Sequence, residues 1–150
     1  NDVASKNLDK NFIFVGPLSG NQGLKIKSKF ENNIYFFPSI ERDELPNLLS
    51  GIDVFWMPFY VDKLTQYMSP IKIFEVLSAG IPTVSAKLYE CERIGKEHIC
   101  FANSSQEYCY FIDILVKENS LDSRIYRSND MKKYDWNNRF IKFEKYIGEN

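Results

Sequence analysis

Five short, mainly apolar runs punctuate the chain: FIFV (residues 12–15), IYFF (34–37), DVFWMPF (53–59), IPTVSA (81–86) and ICFA (99–102). The spacers between them are long enough to hold a helix each. Within the runs the apolar residues are continuous instead of alternating, which suits strands covered on both faces. Parallel neighbours need a crossover between them, so strands of this kind separated by helices imply an α/β chain with a doubly wound parallel sheet, not a sandwich.

Length and charge narrow the function classes. At 150 residues, 44% hydrophobic and 15% aromatic, the chain has enough apolar material for one globular domain with a core. Nineteen Lys and Arg against 20 Asp and Glu give a net charge of -1, without the basic excess that phosphate-backbone binding draws on, so nucleic acid is not an expected partner. The longest apolar stretch, VFWMPFYV (54–61), is far short of the ~20 residues that span a bilayer. No basic-then-apolar leader opens the chain, and a soluble domain is expected.

Cys91, Cys100 and Cys109 with the single His98 make a poor metal inventory, and no metal site is expected. The cysteines read as small buried residues in a reducing cytosol. The same scarcity removes a Cys/His pair and a Ser/His/Asp triad, and His98, beside ICFA, reads as a loop or strand-edge residue and not as a general base.

Helix signals fill the spacers. DELPNLLS (43–50) offers Asp43 as N-cap, a proline in the first turn and Gly51 just past the end. SSQEYCYFIDILVKE (104–118) opens with Ser104 and Glu107 at capping-box spacing. Residues 21–30, NQGLKIKSKF, fit either a short helix or an extra strand. Near the C-terminus Trp136, Phe140, Phe143 and Ile147 follow Asp135 as N-cap and form one apolar stripe, expected to dock a helix on the body of the protein.

The stretch SPIKIFEVLSAGIPTVS (69–85) is the most sharply bounded helix candidate, with Ser69 as N-cap, Pro70 in the first turn, Gly80 for a left-handed C-cap and Pro82 beyond it. It lies between a strand ending near Phe59 and one starting at Ile81, so its N-terminus faces the carboxyl edge of the sheet, where open α/β sheets bind ligands. Lys72 sits in the first turn, where a cation is disfavoured by ~0.3–1 kcal/mol unless an anion is near. Lys72 and Glu75 share one face, while Ile73, Phe74 and Leu77 fall on another suited to the sheet. Two readings stay open on these residues: an anion site, or a solvated Lys/Glu surface pair worth about a few tenths of a kcal/mol.

MSPIKIFEVLSAGIPTVSA (68–86) resembles the S-P-x-K-x-F-E-x-L-A-A-G-x-P-V-V signature of the nucleotide-sugar-binding domain in GT-B-fold glycosyltransferases, and is similar in particular to bacterial cell-surface polysaccharide transferases of the teichuronic-acid type. FIFVGP, NIYFFPSIERDELPNLLSGIDVFWMPF, DKLTQYMSPIKIFE, LYECE and YDWNNR follow in the family's order, covering most of residues 12–147. The resemblance implies a Rossmann-like sheet forming one domain of a GT-B fold. It implies that Lys72 and the backbone N–H groups of Ile71 and Lys72, beside Pro70, hold the diphosphate of a nucleoside-diphosphate-sugar donor. Glu75 would accept hydrogen bonds from ribose hydroxyls, and Thr65 and Ser69 would line the loop beside the phosphates or sugar. Ser39 and Ile40, with Phe59 and Tyr60, would flank the base. Gly16 would let the backbone approach the ligand closely, or is an ordinary turn glycine. Glu90 matches a family glutamate, and surface solvation is its expected role.

Two departures stand out. Many relatives carry a glutamate eight positions before the ribose-binding one, where this chain has Tyr67. Such transferases also have two Rossmann-like domains with the active site between them, and this chain holds at most one. The expectation is therefore a C-terminal fragment, missing its own first βα unit, from a metal-independent, retaining, cofactor-free enzyme that works in the cytoplasm or peripherally at the inner face of the membrane. The acceptor, a glycan or lipid-linked glycan, would be held by the missing N-terminal domain, so the fragment alone would be inactive. A nucleotide-sugar epimerase of the same fold and a non-catalytic α/β ligand-binding domain are the alternatives.

Overall fold

A computed structural model of the chain describes residues 2–17 and 33–148. Segment 21–30, left open between helix and strand, lies outside the described residues. The elements in chain order begin with α1 (Asp2–Ser5), β1 (Phe12–Val15), β2 (Ile34–Phe37), a 3-10 turn (Arg42–Glu44) and α2 (Leu45–Ser50). They continue with β3 (Phe55–Met57), a second 3-10 turn (Thr65–Tyr67), α3 (Lys72–Ser78), β4 (Thr83–Ser85) and α4 (Tyr89–Gly95). The last are β5 (Ile99–Phe101), α5 (Ser105–Glu118), α6 (Leu121–Met131), a third 3-10 turn (Lys132–Tyr134) and α7 (Trp136–Gly148).

Every apolar run carries a strand, and all pairings are parallel: Phe12 opposite Ile34, Phe55 opposite Thr83, and Thr83 opposite Ile99. Alternation along the short strands explains why the runs are continuously apolar. Phe55, Met57, Ile99 and Phe101 meet α3, α4 and Met131 of α6 on one face. Trp56, Val84 and Cys100 meet Val3 and Ala4 of α1 and Tyr108 and Ile112 of α5 on the other. Helices on both faces make the arrangement doubly wound, as expected. Ile73, Leu77, Ile81, Val84, Leu88 and Cys91 have no exposed surface. Each such aliphatic contributes about 1.5–3 kcal/mol by leaving water.

The hydrogen-bonded sheet is in two pieces, β1-β2 and β3-β4-β5. They are joined by side chains, the Phe12 and Phe14 rings standing edge-on to Trp56 at 5.4 and 5.8 Å. Asn33 fastens the approach to β1: its buried amide Nδ2 lies 2.9–3.1 Å from the carbonyls of Ala4, Asn7 and Lys10.

Local cap chemistry holds at some helix ends and not at others. Glu107 N–H donates to Ser104 Oγ at 3.2 Å, while the Glu107 carboxylate reaches back to Asn103 N–H at 2.6 Å. Asn138 N–H donates to Asp135 Oδ1 at 2.7 Å, so Asp135 caps α7 as expected. Asp43, expected as a cap, lies inside the 3-10 turn, and it is Glu44 that bonds back to the Glu41 N–H at 3.0 Å. Ser69 is not the N-cap of α3 either. The residue flanking that helix is Ile71, with no side-chain cap, because Pro70 and Ile71 accept from Ile73 and Phe74 in i to i+3 bonds that tighten the entry and delay the regular helix.

The docking expected of the C-terminal helix is overturned. α7 forms, but none of its residues is buried, and Trp136 is 82% exposed. In its first turns Arg139 lies over the Phe74 and Trp136 rings and Asn138 Nδ2 donates to Lys132 O at 2.7 Å.

Candidate functional site

The βα connections bring most of the predicted site residues to strand carboxyl ends. Gly16 follows β1 directly, with φ +145 and open space where a Cβ would stand. Ser39 is exposed and Ile40 half-buried, just past β2. Phe59, half-buried, and Tyr60, 82% exposed, follow β3. The loop from Tyr60 then runs to Pro70 and Ile71 and into α3.

That loop is stapled by Asp62, a residue the sequence reading passed over. Its Oδ1 accepts from the N–H groups of Leu64 and Thr65, both at 2.8 Å, and these bonds hold its carboxyl below the usual range. The Thr65 hydroxyl donates to Tyr60 O at 2.5 Å and accepts from Asp62 N–H at 2.9 Å. Thr65, expected beside the phosphates or sugar, therefore has its hydroxyl occupied in shaping the loop. The Asp-x-x-Thr spacing carried that signal, since both residue types cap local backbone.

α3 is anchored at its far end and open at its near end. Gly80 adopts φ +75, and the N–H groups of Gly80 and Ile81 close the helix on Leu77 O and Val76 O at 2.9 and 3.0 Å. A Cβ on Gly80 would come within 2.5 Å of the Arg124 carbonyl oxygen. Arg127 Nε donates to Gly80 O at 2.9 Å and Ser128 Oγ to Ser78 O at 2.7 Å, so α6 supplies donors where the helix leaves carbonyls unpaired. At the other end, the amides of Ile71 and Lys72 have no partner among the described residues. Lys72 is exposed and Glu75 half-buried. Neither joins an ion pair among the described residues, and in particular not with each other. No direct bridge joins these two residues, whereas Arg93 and Glu90 make an i, i+3 pair at 2.5 Å. That contact holds the Glu90 carboxyl below its usual range and accounts for Glu90 locally.

A cavity of about 660 Å³ opens at the carboxyl ends of β3, β4 and β5, where Trp56, Phe59, Tyr60, Ala86, Ser104 and Tyr108 line it. It takes in two predicted site residues, Phe59 and Tyr60. Its other walls come from segments far apart in sequence, among them Asp2, Trp56, Ala86 and Tyr108, so no local pattern announces it. Tyr108 donates to Met57 O at 3.2 Å, and burial pushes its phenol well up. His98 lies elsewhere, at the amino end of β5, buried, with Nε2 2.7 Å from Asp130 Oδ2. It ties β5 to α6 and is remote from the carboxyl edge. Among the described residues no group of three His, Cys, Asp or Glu side chains is placed to hold a metal ion.

The sequence matches the family described as Glycosyl transferases group 1 over residues 1–117. The chain belongs to the group 1 glycosyl transferases. It is also 26% identical, over 153 aligned positions, to TuaH of Bacillus subtilis (strain 168), a protein named provisionally as a teichuronic acid biosynthesis glycosyltransferase. The alignment covers 98% of this chain and 38% of TuaH. The match to the group 1 glycosyl transferases includes the whole of α3 and the loop before it. No helix among the described residues of this group 1 chain is long and apolar enough to cross a membrane.

Proposed function

We propose that this domain binds a nucleoside-diphosphate sugar and stabilises the departing diphosphate while the sugar passes to an acceptor hydroxyl. The observation that carries the reading is the pair Lys72 and Glu75, side by side on α3, exposed or half-exposed and without ion partners among the described residues. Lys72 Nζ and the free amides of Ile71 and Lys72 would take the diphosphate, and Glu75, one turn on, the ribose hydroxyls. Ser39, Ile40, Phe59 and Tyr60 would flank the base, with Ser69 and Gly16 at the rim. Negative charge grows on the diphosphate as the glycosidic bond breaks, so a fixed ammonium there stabilises the transition state more than the ground state.

In this reading the domain is the donor half of a two-domain GT-B enzyme of bacterial cell-surface polysaccharide synthesis. Transfer is retaining and metal-independent. The acceptor, a glycan or lipid-linked glycan, is held by an N-terminal domain, and the 150-residue chain binds the donor without turning it over. The enzyme acts in the cytoplasm, peripherally at the inner face of the membrane. What supports this is membership of the group 1 family and the name given to TuaH, together with Lys72 and Glu75, which have no ion partner among the described residues.

The test is release of nucleoside diphosphate from labelled donors by the full-length protein, with and without membrane acceptors. Release that needs the acceptor, and falls about 100-fold in kcat/KM with Lys72→Ala, is the expected result. Release without any acceptor would point to an epimerase and overturn the transfer reading. Release that ignores Lys72→Ala would overturn the role given to the lysine.

A further inference from the structure

Tyr67 and Tyr89 stand on consecutive βα connections at the carboxyl edge of the sheet. Tyr67 closes the 3-10 turn in the loop after β3, and Tyr89 opens α4 just after β4. They are 72% and 63% exposed, yet their rings meet, with centroids 6.5 Å apart and planes inclined at 50°. A ring held between two others needs about 7–8 Å between its neighbours, twice the contact distance, so no third ring enters between Tyr67 and Tyr89. Their outer faces instead form one continuous two-ring surface. Single exposed apolar side chains are ordinary, whereas a contiguous exposed patch marks a contact surface. Both supports of this patch are held in place, the loop by the Asp62 and Thr65 bonds and α4 by its buried Cys91 and Ile94.

The acidic groups beside the two rings are already engaged. The connections, residues 60–71 and 86–92, carry three carboxylates: Asp62, Glu90 and Glu92. Asp62 accepts from the amides of Leu64 and Thr65, Glu90 from Arg93 Nε at 2.9 Å, and Glu92 pairs with Lys87 at 3.2 Å. A fully hydroxylated sugar is well held by a carboxylate left free to accept from two neighbouring hydroxyls at once. What these connections present is aromatic surface.

The order of groups in the donor says what reaches that surface. In a nucleoside-diphosphate sugar the ribose, the diphosphate and the sugar follow in line. With Glu75 on the ribose and Lys72 on the diphosphate, the line runs toward the N-terminus of α3, and the sugar projects beyond it, toward residues 67–71. We infer that Tyr67 and Tyr89 together form the contact for the transferred sugar, and that this sugar carries a methyl group, as an acetamido or a 6-deoxy substituent, laid on the two rings. The inference rests on the donor reading above and names the class of sugar for it. Methyl C–H groups meet the negative ring faces favourably, and the contact removes apolar area of both partners from water. A plain hexose would set a hydroxyl against the same faces and strip water from it without supplying a hydrogen bond. The pair therefore discriminates by the cost to the wrong sugar as well as by the gain to the right one.

Calorimetric titration of the full-length protein with matched donors tests this. The probes are UDP-glucose against UDP-N-acetylglucosamine, UDP-galactose against UDP-N-acetylgalactosamine, GDP-mannose against GDP-6-deoxymannose, and UDP and GDP alone. In at least one pair the methyl-bearing donor should bind about four- to tenfold tighter than its plain partner. Tyr67→Ala and Tyr89→Ala should each bring that ratio to about one while changing the affinity for UDP or GDP less than about twofold, and Tyr67→Phe and Tyr89→Phe should preserve it. Equal binding within every pair, or a preference that survives both alanine variants, would overturn the proposal. So would alanine variants that weaken nucleotide and nucleotide sugar alike, since the rings would then only shape the loop. Tightest binding of UDP-glucuronate, added as a further probe, would make the sugar contact ionic and overturn it too. Each of these results leaves the donor reading standing, whereas a protein that binds neither UDP nor GDP removes that reading and this inference with it.

Discussion

The two ends of α3 are built on opposite principles. At the C-terminal end Gly80 has a left-handed backbone pressed against Arg124, the last carbonyls receive Arg127 and Ser128, and Leu77 is wholly buried. At the N-terminal end two amides have no partner, and an exposed lysine stands in the first turn without an ion partner among the described residues. One end spends its polar groups on the protein and the other leaves them without partners among the described residues. A rigid anchor behind unpaired groups is what a preorganised ligand contact requires, because the groups then need not be ordered when the ligand arrives.

Substitutions should divide sharply along the helix. Leu77→Ala leaves a cavity under α3 and should lower unfolding stability by about 2–5 kcal/mol in urea titrations. Gly80→Ala meets both an unfavourable φ and the Arg124 carbonyl, and should cost about 1–3 kcal/mol by the same measurement. Should Gly80→Ala prove neutral, the clamp between α3 and α6 would be weaker than described.

A smaller effect comes from the bond joining α6 to the core at the other edge of the sheet. The Asp130 carboxyl is held below its ordinary value, first by Lys133 and then by His98. A carboxyl depressed in the folded state contributes stability above its unfolded value of about 3.9 and loses it as pH falls through the lower folded value. Asp130→Asn should therefore lower stability by about 1 kcal/mol at neutral pH and flatten the acid limb below about pH 4, read from urea midpoints across pH. Lys72→Ala should give the smallest shift, within about 0.5 kcal/mol, because that side chain is exposed and has no ion partner among the described residues.

The same contrast explains what was legible in the sequence. Gly80 and Pro82, Ser104 with Glu107, and Asp135 announce their helix ends because a cap is a local bond between residues a few positions apart. Strand runs were legible because continuous apolarity follows from cover on both faces in β3, β4 and β5. In β1 and β2 the expected double cover is not met, and Ile13, Tyr35 and Phe37 are exposed. Ser69 misled because Pro70 tightens the entry into α3, a geometric detail that residue preference alone does not encode. The stripe of α7 predicted a helix correctly and its docking wrongly, since periodicity defines a face and says nothing of what covers it. The sheet break, the cavity at Tyr108 and the His98 bond to Asp130 all join residues far apart in sequence. At the candidate site, Lys72 and Glu75 stood out by their positions on a bounded helix, whereas the Asp62 staple that occupies Thr65 was overlooked.

The most direct test is calorimetric titration of UDP, GDP and ADP into the full-length protein and its Lys72→Ala variant, with urea midpoints measured on the same samples. The account predicts that one nucleotide binds selectively, that Lys72→Ala weakens it about tenfold or more, and that the urea midpoint does not move. Equal affinity in both proteins would contradict it, as would weakened binding accompanied by an equal loss of stability, because either result would place Lys72 among the residues that only hold the fold.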